Sequence, residues 1–131
     1  MDEVTRLVEL LGHGNAAEDE EALALLAIHG RRAVESLLAA AASPDPQRRA
    51  ACLTALGRIG DPRSRRTVIL ALADRTSLVR AAAASAVAAF PSEEAVSRLD
   101  AMLKRETEAE VRLRGAATLV DMFNSGAVEA L

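Results

Sequence analysis

In this chain of 131 residues, the side chains that could support catalysis or bind a metal are few and lie apart. His13 sits within Gly12-His13-Gly14, and His29 stands beside Gly30. Neither has a second ligand at metal-binding spacing, and their glycine neighbours mark turns or helix ends. The clusters Glu18-Asp19-Glu20-Glu21 and Glu93-Glu94 fall at the starts of helical patterns, where the helix dipole alone accounts for carboxylates. The chain has no glycine-rich phosphate loop, no Gly-x-Ser-x-Gly elbow and no His-Glu-x-x-His pair. The expectation is a protein that is not an enzyme, with no catalytic residue, no cofactor and no metal.

The elements that would position any site are helices. Half the residues are hydrophobic, yet Phe90 and Phe123 are the only aromatics, while alanine and leucine number 29 and 18. That mixture favours helix. It argues against a β-sandwich or barrel, which would draw on β-branched and aromatic residues, and against a disordered chain. The length is that of one domain burying about two-thirds of its unfolded surface. The lone Cys52 cannot form an internal disulfide, and Met1-Asp2-Glu3 opens the chain without an apolar leader, so a reducing cytoplasm is expected. Apolar runs such as Ala22 to Ile28 and Leu37 to Ala42 fall far short of the roughly 20 residues that span a bilayer.

Charge is unevenly distributed. Residues 1–44 carry three Arg against eight acids, 45–80 eight Arg against three, and 81–131 five basic residues against eight acidic. A basic middle between acidic ends can dock an acidic partner, although charged helix faces are ordinarily just solvated surface. Fifteen of the sixteen basic residues are Arg, which favours planar, bidentate pairing with carboxylates.

An internal period organises the sequence. Val79-Arg80-Ala81-Ala82-Ala83-Ala84-Ser85-Ala86-Val87 slides 32 residues forward onto Val111 to Leu119 and 31 back onto Arg48 to Leu56. A second unit alternates with it: Ala33 to Leu38, Ser64 to Ile69 and Ala95 to Asp100 line up at spacings of 31, with Glu3 to Val8 as a first copy. Calling the first type A and the second B gives the order B, A, B, A, B, A, B, A, about eight helices with no strand. Ala95, Val96, Leu99 and Leu103 make one helical stripe, capped by Ser92 and ended by Lys104-Arg105. Cys52 takes the inward A position of Ala83, which predicts a buried, inert thiol.

The segment Arg48-Arg49-Ala50-Ala51-Cys52-Leu53-Thr54-Ala55-Leu56-Gly57-Arg58-Ile59-Gly60-Asp61-Pro62 resembles the bacterial HEAT-like repeat, the short class named from phycobilin-lyase proteins. The resemblance runs over about residues 3–122. It departs at Arg65 and Asp100, which replace apolar residues of the B pattern, and in the first A unit, where Glu18 replaces the leading Arg. It implies an all-α solenoid, a superhelical stack in which A helices form the convex surface and B helices line a concave one. Residues 1–131 then make a single repeat domain, with units 2–12 (half repeat), 17–43, 45–74, 76–105 and 107–123 (half repeat) and a frayed tail at 124–131. Stacking is also required physically, because one helix pair cannot bury its two apolar faces.

On that phase the concave B face presents three rows: Thr5, Glu35, Arg66 and Ser97; Arg6, Ser36, Thr67 and Arg98; and Arg32, Arg63 and Glu94. Arg32, Arg63, Arg66, Arg98, Glu35 and Thr67 are the expected partner-binding residues, suited to an acidic peptide or helix. Arg49, Arg80 and Arg112, which recur at one position of the family pattern, are expected to form a structural ladder between repeats. The implied function is a non-catalytic protein interaction scaffold or adaptor. Nucleic-acid binding through residues 45–80 is the alternative, weakened by the missing Trp and Tyr. An accessory role related to phycobilin lyases is a further one. No membrane partner is expected, and the chain should be a monomer or a weak homodimer through its terminal half repeats.

Overall fold

Polar N-caps and glycine or proline stops divide the chain into eight α-helices among the described residues: α1 (Glu3–Leu10), α2 (Ala16–His29), α3 (Val34–Ala40), α4 (Pro46–Ile59), α5 (Arg65–Leu70), α6 (Ser77–Ala86), α7 (Glu93–Arg105) and α8 (Ala109–Asn124). They are seen in a computed structural model, which describes residues 1–126. Asp2 accepts from the Thr5 N–H at 2.8 Å, Asn15 from Glu18 at 3.1 Å and Ser92 from Ala95 at 3.0 Å, each satisfying a first-turn donor. Pro46 opens α4 behind Asp45, and Gly60, at φ 70°, closes it with its N–H on the Leu56 carbonyl. Short 3-10 turns, Gly30–Ala33 and Pro62–Ser64, lead into α3 and α5. Of the expected tail, Asn124 ends α8 and Ser125 donates its N–H to Asp121 at 3.0 Å. Residues 127–131 lie outside the described residues.

The helices form two rows of an α-solenoid: the A row is α2, α4, α6 and α8, and the B row is α1, α3, α5 and α7. Leu26, Leu37, Leu56, Val68, Val79 and Leu99 are fully buried. The A helices pack on one another more intimately than the B helices do. Small residues permit this. A Cβ on Gly57 of α4 would stand 2.7 Å from the Ala86 Cβ of α6, and Ala83 and Ala84 are wholly buried. The Thr118 hydroxyl of α8 donates to the Ala84 carbonyl at 2.7 Å.

A stack whose one row is more closely spaced bends toward that row, so the concave side belongs to the A helices. This corrects the expectation that B helices line it. The physical reason lies in the side chains: alanine and glycine between A helices, as at Gly57 against Ala86, set a short spacing that the B helices do not share.

Arg49, Arg80 and Arg112 tie the A row to its loops. Arg49 reaches both Asp74 carboxylate oxygens at 3.0 and 3.1 Å and also donates to the Ser43 and Pro44 carbonyls. Arg80 holds Glu106 at 2.7 and 3.1 Å and donates to the Asp74 carbonyl at 2.9 Å. Arg112 donates to the carbonyls of Glu106 at 2.9 Å and Leu103 at 3.1 Å. Asp74 and Glu106 thus each serve two rungs. The Arg80 hydrogen bonds hold Glu106 below the usual carboxylate range against the opposing effect of burial. Burial would raise Asp74, but the Arg49 fork and the Thr76 N–H outweigh it and leave it lowered.

Candidate functional site

The closely spaced A row creates a groove of about 570 Å³ that crosses all four A helices near their N-terminal ends. Its floor is apolar and mostly small: Leu23 on α2, Ala50 and Ala51 on α4, Leu78, Ala81 and Ala82 on α6, and Val111 on α8. Leu78 is the bulky member, 48% exposed at the centre. Thr54 turns its hydroxyl onto the Ala50 carbonyl at 3.1 Å, leaving this polar atom committed to the helix. Carboxylates gather at the two ends. Asp19 stands at the α2 end, accepting from the Gly12 N–H at 3.0 Å, and Glu108 and Glu110 stand at the α8 end. Arg114, the one basic lining residue, is held by Glu110 at 2.7 Å. The groove therefore carries net negative charge over an apolar floor.

The residues expected to bind a partner lie on the other row, and several are already engaged. Arg63 donates to Asp61 at 3.1 Å, to Glu35 at 3.1 Å and to the Arg31 carbonyl at 2.9 Å. These contacts raise the Arg63 pKa, with Asp61 the largest cause, and Arg63 in turn lowers Asp61. Arg32 lies 3.3 Å from His29 Nδ1, and Thr67 is half-buried. Arg66 and Arg98 are exposed and make no hydrogen bond or ion pair with described residues. The six residues are thus brought to one row, where two guanidinium groups are free and the pair Arg63 and Glu35 neutralise each other.

The reactive candidates are occupied or hidden. His13 donates to the Glu9 carbonyl at 2.7 Å, and His29 lies 3.5 Å from Glu3. Cys52 is fully buried, and burial pushes its thiol up to about 11. Among the described residues no three His, Cys, Asp or Glu side chains gather into a metal-binding group. No helix among them is long and apolar enough to cross a membrane.

Sequence reasoning missed two parts of this arrangement. The ladder carboxylates were overlooked although Asp74 and Glu106 follow Arg49 and Arg80 by 25 and 26 residues, a recurrence that could have found them. The apolar groove across the A row was not foreseen, although the runs of alanine in the A units were the signal for closer spacing.

Comparison with known proteins agrees with the architecture. The family profile of HEAT repeats matches residues 34–120. Among solved structures, a chain in the complex of CpcE and CpcF of phycocyanin lyase from Nostoc sp. PCC7120 aligns with a TM-score of 0.73 and 22% identity. The alignment covers 92% of this chain and 78% of that one, a likeness of fold. No curated protein matches in sequence.

Proposed function

Because this chain belongs to the HEAT-repeat family, whose stacked helix pairs build extended binding surfaces, we propose that it is a non-catalytic scaffold that holds a protein partner. The observation that carries the reading is the apolar groove across the A row. Its floor of Ala50, Ala51, Ala81 and Ala82 can take the side chains of a docked segment. The buried thiol of Cys52, the committed His13 and the dispersed carboxylates offer no reacting group, so we assign no lyase chemistry. Incubation with a bilin and an acceptor protein should leave the pigment spectrum unchanged. The lone, buried Cys52 suits a reducing cytosol.

Arg66 and Arg98 favour a second reading, an acidic partner on the B row flanked by Arg32, Arg63, Glu35 and Thr67. One experiment separates the two. Capture with wild type, with Leu78→Arg and with Arg66→Glu/Arg98→Glu should show loss of the partner only for Leu78→Arg. Loss only for the double variant would transfer the function to the B row. Nucleic-acid binding is poorly supported because the basic segment is largely neutralised: Arg49, Arg58, Arg63, Arg65 and Arg80 all sit in ion pairs with carboxylates. Weak self-association through α8, whose Leu113 and Val120 are exposed, would appear in sedimentation as a concentration-dependent mass.

A further inference from the structure

We infer that the occupant of the A-row groove is an amphipathic helix with a bulky aliphatic seam and basic residues at both ends, an inference that rests on the groove reading above. Three observations carry it. The first concerns the backbone. The groove is walled by α-helices and by no strand among the described residues, so the wall offers no sheet edge to an extended strand. A docked segment must satisfy its own backbone, which a helix does.

The second concerns shape. Ala51 and Ala82 leave the floor without bulk, while Leu78 stands half-exposed in the middle with its aliphatic side chain uncovered. Such a floor fits leucine or isoleucine side chains at i, i+3, i+4 and i+7. Three interhelical spacings of about 8 Å, the short end of the range for helices that meet through small side chains, give a groove about 24 Å long, which a helix of about 16–20 residues spans.

The third concerns charge. Asp19 at one end and Glu108 at the other have no ion-pair partner among the described residues, and Glu110 at the Glu108 end is matched only by Arg114. Basic side chains at both ends of the ligand meet these carboxylates, whereas an acidic peptide would be repelled at both.

The test uses the full chain and three synthetic helical peptides of about 20 residues: one with a leucine seam and Lys/Arg ends, one with the same seam and Glu ends, and one with Lys/Arg ends and a scrambled seam. Binding is read by fluorescence anisotropy at low and high salt. The basic-ended amphipathic peptide should bind at least about tenfold more tightly than the Glu-ended one, weaken with salt and outcompete the scrambled one. Leu78→Arg should weaken it about tenfold or more with an unchanged melting temperature, and Glu108→Lys should narrow the gap between basic and acidic ends. Equal or tighter binding of the Glu-ended peptide, still lost in Leu78→Arg, overturns the charge assignment while the groove reading stands. Binding that ignores Leu78→Arg, or no binding of any peptide, overturns the occupant. The groove reading is then judged by partner capture alone.

Discussion

Gly57→Ala tests the spacing of the A row, because two physical effects predict opposite signs. Alanine inside a helix is favoured over glycine by about 1 kcal/mol, so propensity alone predicts a more stable protein. Against this, the new Cβ would stand 2.7 Å from the Ala86 Cβ and 2.8 Å from its Cα. Carbon atoms pack at about 3.5–4.0 Å, so α4 and α6 must separate by about 1 Å. Neither contact lies on a flexible side chain that could swing away. Overpacking of this kind costs about 1–3 kcal/mol. Two contacts under 3 Å on atoms that cannot swing away put this one at the upper end, about 2–3 kcal/mol, so that against the propensity gain the expected net loss is about 1–2 kcal/mol. At about 4 °C per kcal/mol for a domain of this size, the melting temperature should fall by about 4–8 °C. Ala86→Gly in the same chain removes the contact to Cβ but leaves that to Cα, so rescue should be partial. Thermal and urea denaturation of the four proteins of the cycle measure this directly. A Gly57→Ala protein as stable as wild type, or more so, would refute the argument that close approach of α4 and α6 sets the curvature.

Three further outcomes are expected. Glu106→Gln should cost about 2–3 kcal/mol at neutral pH by weakening the buried Arg80 fork. Because Glu106 is held below its ordinary value of 4.5 in the folded state, its contribution is present above that pH and lost as pH falls through the folded value. Wild type should therefore lose its advantage over Glu106→Gln in acid titrations of stability, and a pH-independent difference would contradict the assignment. Cys52, with its thiol near 11, should resist a thiol reagent at pH 8 until urea opens the fold, whereas prompt labelling of native protein would contradict its burial. Thr118→Val should lower stability by about 1 kcal/mol, read by urea titration, through loss of the 2.7 Å bond to Ala84.

The repeat and the all-helical stack were legible because the A and B patterns recur at a nearly constant interval, and periodicity is a property of one dimension. Pairings between repeats are not. Glu35 and Arg63 both read as exposed polar positions of the B row, and nothing in their local sequence shows that 28 residues of chain bring them to 3.1 Å. The same holds for Arg58 and Glu20, 38 residues apart and joined at 2.8 and 3.0 Å. Arg49, Arg80 and Arg112 were readable as a ladder because they share the period, whereas Asp74 and Glu106 differ in type and so escaped a search for identical residues. His13 and His29 lie where their glycine neighbours put them, at a helix-flanking turn and a helix end.

The side of the stack that is concave follows from side-chain volume, and with it the sign of the partner's charge. Where two neighbouring helices meet through Gly57 and Ala86, their axes approach closely. A row whose helices pack this closely is shorter than one whose helices touch less, as the B helices do. Eight helices of similar diameter cannot form two rows of unequal length without bending toward the shorter, so the alanine-rich row becomes the inside of the curve. The small side chains that allow the close approach also leave the inner surface shallow, apolar and open to another helix. The Arg-bearing row falls on the outside, where Arg63 and Arg65 are matched by Glu35, Asp61 and Glu94. A partner chosen by the inner surface meets Asp19, Glu108 and Glu110 first, and is selected for basic ends.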